Sequence, residues 1–359
     1  MKTFIIAEAG VNHNGCIETA KKLVDVAVNV KVDAVKFQSF KASKLVSKKA
    51  EKAKYQIENS SEKTETQFEM LSKLELSREE QLELYNYCLN SGILFMSTPF
   101  DEDSLTTLVN ECNLSIIKLS SGDLTNAPLL LNAAQTGRDI IISTGMSTLE
   151  EIEKALAVLA YGYSNPSKKP SGFEEVWRTY LNNESYNILK DKVTILHCTT
   201  EYPASPKDVN LNVLSTIHSA FGLKVGFSDH TEGIHIPIAA VAKGASVIEK
   251  HFTLDKSMPG PDHKASLEPS ELEAMVHAIR DIEVALGTSR KFPSQIELEN
   301  SLVARKSIVA KLEIQAGTIF SEDNIEIKRP GNGMSPFYYW DLIGKKSKNT
   351  YDLEGKIDE

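Results

Sequence analysis

Over the first 250 residues, short β-branched runs ending in polar residues alternate with stretches whose apolar positions recur every three to four residues. The short runs are Phe4–Ala7, Ala34–Phe37, Leu94–Ser97, Ile116–Leu119, Ile140–Ser143, Val193–His197, Lys224–Phe227 and Ser246–Lys250. Between them the spacing predicts helices such as Ile17–Asn29, Arg78–Asn90, Leu149–Leu159 and Val209–Ala220. Eight strand–helix units with both faces of each strand covered predict an α/β fold of the (β/α)8 TIM-barrel type. A doubly wound open sheet is the alternative. Its dinucleotide form wants G-x-G-x-x-G after the first strand, and AEAGVNHNG lacks that spacing.

A last helix over Pro269–Leu286 closes a barrel domain of residues 1–286. Residues 287–300, GTSRKFPSQIELEN, mix Gly, Pro, Ser and charge as linkers do. Residues 301–359 have short alternating runs broken by Ala316-Gly317 and Pro330-Gly331 and read as a small β-rich domain. So short a segment buries little core alone. Two excursions interrupt the barrel pattern: the charged, helical Lys41–Leu76, and Tyr161–Asp191 with an aromatic helix around Trp177.

The 359 residues are 41% hydrophobic and 25% charged, which excludes disorder and collagen-like structure. The net charge of −9 argues against a nucleic-acid or anionic-membrane partner, so any anionic ligand must be held by local cations. The four cysteines form no CxxC pair, against a disulfide scaffold or a zinc ribbon. Glu8 ends the N-terminal apolar run too early for a signal peptide, and no apolar stretch has membrane-span length. A cytoplasmic protein is expected.

Active sites of such barrels lie at the C-terminal ends of the strands. Those ends carry Glu8, Lys36 with Gln38, Thr98, Lys118 with Ser121 and Asp123, Ser143, Thr199 with Thr200, Ser228 with His230, and Glu249 with His251. Two lysines and a ring of hydroxyls aimed at one cavity suit a phosphate or carboxylate ligand. His230 and His251 end adjacent strands, and two imidazoles with open positions suit a catalytic divalent metal. Glu8 is either the counter-ion of the lysines or an acid–base or water-positioning group.

IIAEAGVNHNG, AVKFQSFKA, STPFDEDS, IKLSSGDLTN, IISTGM, ILHCTTEYPA, VGFSDHT and VIEKHFTLDKSMPGPDHKASLEP resemble the bacterial sialic acid (nonulosonate) synthases. The tail from Arg305, RKSIVAKLEIQAGTIFSEDNIEIKRPGNG, resembles their antifreeze-like SAF (β-clip) domain. The resemblance covers nearly the whole chain and departs at Tyr161–Asp191. It implies condensation of phosphoenolpyruvate with an N-acylated mannosamine-type sugar, using a divalent metal, manganese first, with magnesium or cobalt as alternatives. It implies catalysis by Glu8 and phosphoenolpyruvate contacts from Lys36, Thr98, Lys118, Ser121, Ser143, Thr200 and Ser228. Gln38, Asp123, Tyr202, Asp262 and Arg329 fall around the sugar, and His230 with His251 is the metal pair. Arg329 would act in trans, within a domain-swapped homodimer. Thr200 stands where many N-acetylneuraminate synthases carry asparagine. That leans the reading toward N,N'-diacetyllegionaminate, with N-acetylmannosamine kept open as the substrate. Two further alternatives are a non-catalytic carbohydrate- or ice-binding protein and a keto-deoxy sugar-phosphate synthase. The intact lysines, histidines and Glu8 argue against the first, and the lack of extra cations against the second.

Overall fold

The computed structural model describes residues 2–59 and 64–359. Eight parallel strands are β1 (Phe4–Gly10), β2 (Ala34–Ser39), β3 (Leu94–Pro99), β4 (Ile116–Leu119), β5 (Asp139–Ser143), β6 (Val193–Cys198), β7 (Lys224–Asp229) and β8 (Val247–His251). They pair in the order β3-β2-β1-β8-β7-β6-β5-β4. β3 and β4 neighbour one another without a ladder between them, so the sheet closes into a TIM barrel with one open seam. All eight runs read from the sequence are strands.

Alternation along each strand sorts its side chains into two faces. Outward-facing Ile5, Val35, Phe95, Ile117, Ile195 and Ile248 join the helices in the main core. Inside the barrel, Ile6, Ala34, Met96, Ile141, Leu196 and Val247 form a separate apolar plug. Two residues further along the same strands stand Glu8, Lys36, Thr98, Ser143, Cys198 and Glu249. The period of two returns these to the interior, one layer nearer the C-terminal mouth. An apolar layer below a polar one is therefore written into the strands at i and i+2. On β7 the plug position is Gly226, where a Cβ would come within 2.6 Å of the Val247 carbonyl oxygen. No side chain fits there below Ser228.

Helix α1 (Ile17–Asn29) follows β1. The β2–β3 connection carries α2 (Ala42–Leu45), α3 (Lys54–Asn59) and α4 (Gln67–Leu74) before α5 (Arg78–Asn90). Among its described residues the charged excursion holds these three short helices, and residues 60–63 lie outside the described residues. Thr66 and Ser77 start α4 and α5 through capping boxes with Glu69 and Glu80. Next come α6 (Glu102–Asn110), α7 (Ala127–Gln135) and α8 (Leu149–Ser164).

The second excursion extends α8 past the expected Leu159 and adds α9 (Phe173–Tyr180) and α10 (Asn183–Lys192). Trp177 packs between Phe173 and Tyr180. The helix expected over Val209–Ala220 is broken, because Asn210 takes a left-handed conformation (φ 51°). α11 (Pro206–Val209) ends there and α12 (Val213–Phe221) begins three residues later. α13 (His235–Ala242) and α14 (Pro269–Leu286) complete the barrel.

The chain divides into two compact units, Met1–Gly287 and Thr288–Glu359. The expected linker over 287–300 is corrected in its second half. Gln295–Ala304 is helix α15, started by a capping box between Ser294 and Glu297. In the second unit β9 (Ser307–Ala310) and β10 (Ile325–Lys328) pair antiparallel over a core of Ile308, Ile314, Phe320, Ile325, Tyr351 and Ile357. Isolated bridges such as Ile314–Tyr351 and Ile319–Lys346 replace longer strands, and α16 (Tyr339–Leu342) adds Leu342 to the core. Among the described residues, no helix is long and apolar enough to cross a membrane.

Candidate active site

A cavity of about 380 Å³ opens at the strand ends, floored by the polar layer of the barrel. Lys36 Nζ lies 2.6 Å from Glu8 Oε2 and 3.6 Å from Glu249 Oε2, and it donates to Thr98 Oγ1 at 3.0 Å. Lys118 Nζ stands 3.6 Å from Glu249 Oε1 and donates to the Leu119 carbonyl at 3.2 Å. Ser228 Oγ donates to Glu249 Oε1 at 2.9 Å. All these side chains are buried, and buried charges persist only when paired and hydrogen-bonded. Glu249 joins the two lysines. The sequence placed it at a strand end without a role, since a residue list does not reveal which carboxylate falls between two ammonium groups.

The two carboxyls are set apart by their surroundings. Burial pushes Glu8 up to about 7, with Lys36 opposing the rise and Glu249 adding to it. Burial would raise Glu249 too, but Lys118, Lys36 and the Ser228 hydroxyl hold it down at about 2. Burial also draws Lys118 below the usual lysine range, with Glu249 opposing. A carboxyl able to carry a proton near neutrality therefore shares Lys36 with one that stays charged, the arrangement acid–base chemistry uses.

His230 and His251 come together, their ring centroids 5.6 Å apart, with Tyr202 against both. His230 Nδ1 donates to the Thr199 carbonyl at 2.6 Å, which leaves its Nε2 as a bare lone pair. His251 Nδ1 is buried without a hydrogen-bond partner. A free imidazole lone pair beside an orphaned ring nitrogen fits a divalent cation held by two histidines, with water and substrate as its other ligands. No group of three or more His, Cys, Asp or Glu side chains able to enclose an ion occurs among the described residues. Behind the pair, outward-facing Lys250 is fully buried and bonds Asp229 Oδ2 at 2.6 Å, tying the ends of β8 and β7 together.

Most of the other predicted residues also line the cavity. Gln38 Nε2 reaches Glu8 Oε1 at 3.4 Å. Ser143 Oγ is buried without a partner. Ser121 Oγ accepts from the Gly145 N–H at 2.9 Å and sits 3.0 Å from Cys198 Sγ. A Cβ at Gly145 would come within 2.3 Å of Thr200 Oγ1, so a side chain there would have to displace Thr200. Thr98, Ser228, Tyr202 and Asp262 line the same space, and burial pushes Asp262 up to about 6.

Asp123 does not line the cavity, and its carboxylate accepts from Ser120 Oγ at 2.6 Å and Asn126 Nδ2 at 3.2 Å within its own turn. Arg329 belongs to the second unit, where it is exposed just after β10. The sequence reading missed the wall formed by Gln56, Gln67, Met70, Leu71 and Leu74. Four of these recur at i, i+3, i+4 and i+7, a signal that was available.

Residues 23–291 match the NeuB family and residues 305–350 match the SAF domain. The chain is 47% identical to the N,N'-diacetyllegionaminic acid synthase of Campylobacter jejuni, over 100% of this chain and 99% of that one. It is 43% identical to the N,N'-diacetyllegionaminic acid synthase of Legionella pneumophila, over 96% and 90%. The crystal structure of N-acetylneuraminic acid (sialic acid) synthetase from Leptospira borgpetersenii, in complex with citrate, is similar to it, with a TM-score of 0.67 and 32% identity over 84% of this chain and 90% of that one. With three quarters of its length matched by one family and its tail by an SAF domain, the chain belongs to the NeuB family.

Proposed function

We propose that this protein condenses phosphoenolpyruvate with 2,4-diacetamido-2,4,6-trideoxymannose and water, giving N,N'-diacetyllegionaminate and phosphate. The observation that carries the reading is one cavity holding the Lys36–Lys118 pair and the His230–His251 pair, in a chain 47% identical to a synthase of that name.

In this reading Lys36 and Lys118, with the hydroxyls of Thr98, Ser121, Ser143, Thr200 and Ser228, hold the carboxylate and phosphate of phosphoenolpyruvate. Ser143 Oγ is already free of protein partners for such a contact. Glu249 fixes the spacing of the two ammonium groups. His230 and His251 would hold a divalent cation, manganese first, which when bound supplies Lewis-acid polarisation of the open-chain aldehyde. Tyr202, Gln38 and Asp262 surround the sugar. The methylene carbon of phosphoenolpyruvate forms the new bond to the aldehyde carbon, and the aldehyde oxygen takes a proton from solvent to become a hydroxyl. Positive charge is left on the carbon bearing the phosphate ester. Glu8 positions water against that carbon and accepts its proton. The tetrahedral product then breaks its bond to the bridging oxygen, so phosphate leaves with that oxygen and with the proton of the new hydroxyl, and a ketone remains.

The test is phosphate release from phosphoenolpyruvate, with manganese, across a panel of free mannosamine derivatives. The diacetamido sugar is expected to give the highest kcat/KM. A higher value for N-acetylmannosamine would reassign the sugar, and no release with any member would reject the synthase reading.

We further propose a cytoplasmic homodimer in which Arg329 completes the partner's sugar site. The SAF match and four free cysteines support this setting. Co-expressed Glu8→Gln and Arg329→Ala subunits, purified as mixed dimers, are expected to regain part of the activity that each variant lacks alone. Mixed dimers no more active than the parents would reject delivery in trans, and cell fractionation tests the compartment.

A further inference from the structure

Helix α4 places Gln67, Met70, Leu71 and Leu74 on one face, and all four line the catalytic cavity. Met70 and Leu74 are buried with Val11 and Phe40, while Leu71 and Phe100 pack against them. An apolar helix stripe of this kind ordinarily faces only a core. Here it also faces a cavity whose floor is ionic. Phosphoenolpyruvate, anionic at both ends, gains nothing from such a wall, so the wall must serve the other substrate.

The polar groups of the wall are specifically arranged. Gln56 Oε1 accepts from the Ala53 N–H at 2.9 Å and from Gln67 Nε2 at 3.4 Å. Both glutamines line the cavity, and this pairing leaves Gln56 Nε2 as a donor and Gln67 Oε1 as an acceptor for a ligand. A secondary amide offers the complementary pair, a carbonyl acceptor and an N–H donor, with a methyl group beyond them.

We propose that the α4 face, with Gln56, is the specificity surface for an acylamino group and a neighbouring deoxy methyl at the end of the sugar remote from its aldehyde. The proposal rests on the synthase reading. The aldehyde must meet phosphoenolpyruvate over Lys36 and Lys118, so the C4–C6 end points away from the strand ends, and α4 belongs to the excursion outside them. A 2,4-diacylamino-6-deoxy sugar places an amide and a methyl there. N-acetylmannosamine places hydroxyls there, which a Met–Leu wall cannot hydrogen-bond.

The test compares kcat/KM for 2,4-diacetamido-2,4,6-trideoxymannose and N-acetylmannosamine in the full chain and in Gln67→Leu, Leu71→Asn and Leu71→Met. In Gln67→Leu and Leu71→Asn the preference for the diacetamido sugar is expected to fall about tenfold or more, the scale of one misplaced methyl or amide contact. Leu71→Met is expected to keep the preference, and the KM for phosphoenolpyruvate is expected to hold in all three. Gln67 is half-buried in the first turn of α4, so Gln67→Leu decides the matter alone should Leu71→Asn fail to fold. An unchanged sugar ratio with intact turnover would overturn the specificity surface and leave the synthase reading standing. Loss of phosphoenolpyruvate binding together with the sugar preference would mark a general collapse of the site and overturn it equally. No turnover of either sugar by the unaltered chain would defeat the synthase reading itself.

Discussion

His251→Ala is expected to bind manganese weakly and to lose turnover by more than about a hundredfold, since removing a ligand should exceed the 10- to 100-fold cost of disturbing a ligand's support. Its Nδ1 is buried and makes no hydrogen bond, so its deletion removes an uncompensated polar group and breaks no network. The protein should therefore stay folded, with an unchanged far-ultraviolet spectrum. His230→Ala is expected to behave likewise in metal binding, but it also frees the Thr199 carbonyl and should cost more stability. Isothermal titration with manganese chloride reads metal affinity independently of catalysis. Wild-type affinity in both variants would remove the metal from this pair.

Glu8→Gln is expected to lower kcat by about two orders of magnitude or more, the usual scale of positioned acid–base help. The substitution keeps size and hydrogen-bonding capacity and deletes the carboxylate 2.6 Å from Lys36 Nζ. Among the described residues Lys36 then keeps Glu249 as its ion-pair partner, and phosphoenolpyruvate should bind as tightly as before or more tightly. A fall in kcat with KM for phosphoenolpyruvate unchanged or lower separates a catalytic carboxyl from a counter-ion. Surviving turnover with tighter phosphoenolpyruvate binding would leave Glu8 as the lysine's partner alone.

The barrel was legible because its strands are buried on both faces and end abruptly in polar residues. Ile6 followed by Glu8, Ala34 by Lys36 and Val247 by Glu249 mark, in sequence, where the plug stops and the site begins. Pairings across the barrel were not legible. Glu249 bridges lysines from β2 and β4, and nothing local announces that role. The bonds that Asp123 accepts within its own turn, from Ser120 and Asn126, were not legible either. Helix α15 was hidden by its neighbours' Gly, Pro and charge, although Ser294 and Glu297 already spelled a capping box. The α4 wall was masked because Glu69 and Lys73 interrupt the spacing of Gln67, Met70, Leu71 and Leu74 within a stretch rich in charge.

The fate of one oxygen atom tests condensation most directly. Phosphoenolpyruvate carrying heavy oxygen in its carbon–oxygen–phosphorus bridge is supplied with 2,4-diacetamido-2,4,6-trideoxymannose and manganese, and the phosphate is analysed by mass. Phosphate bearing the heavy atom, released only when the sugar is present and in step with a nine-carbon 2-keto acid, is the expected result. Unlabelled phosphate, or labelled phosphate released equally without the sugar, would contradict attack of phosphoenolpyruvate carbon on the aldehyde in the Lys36–Lys118 cavity.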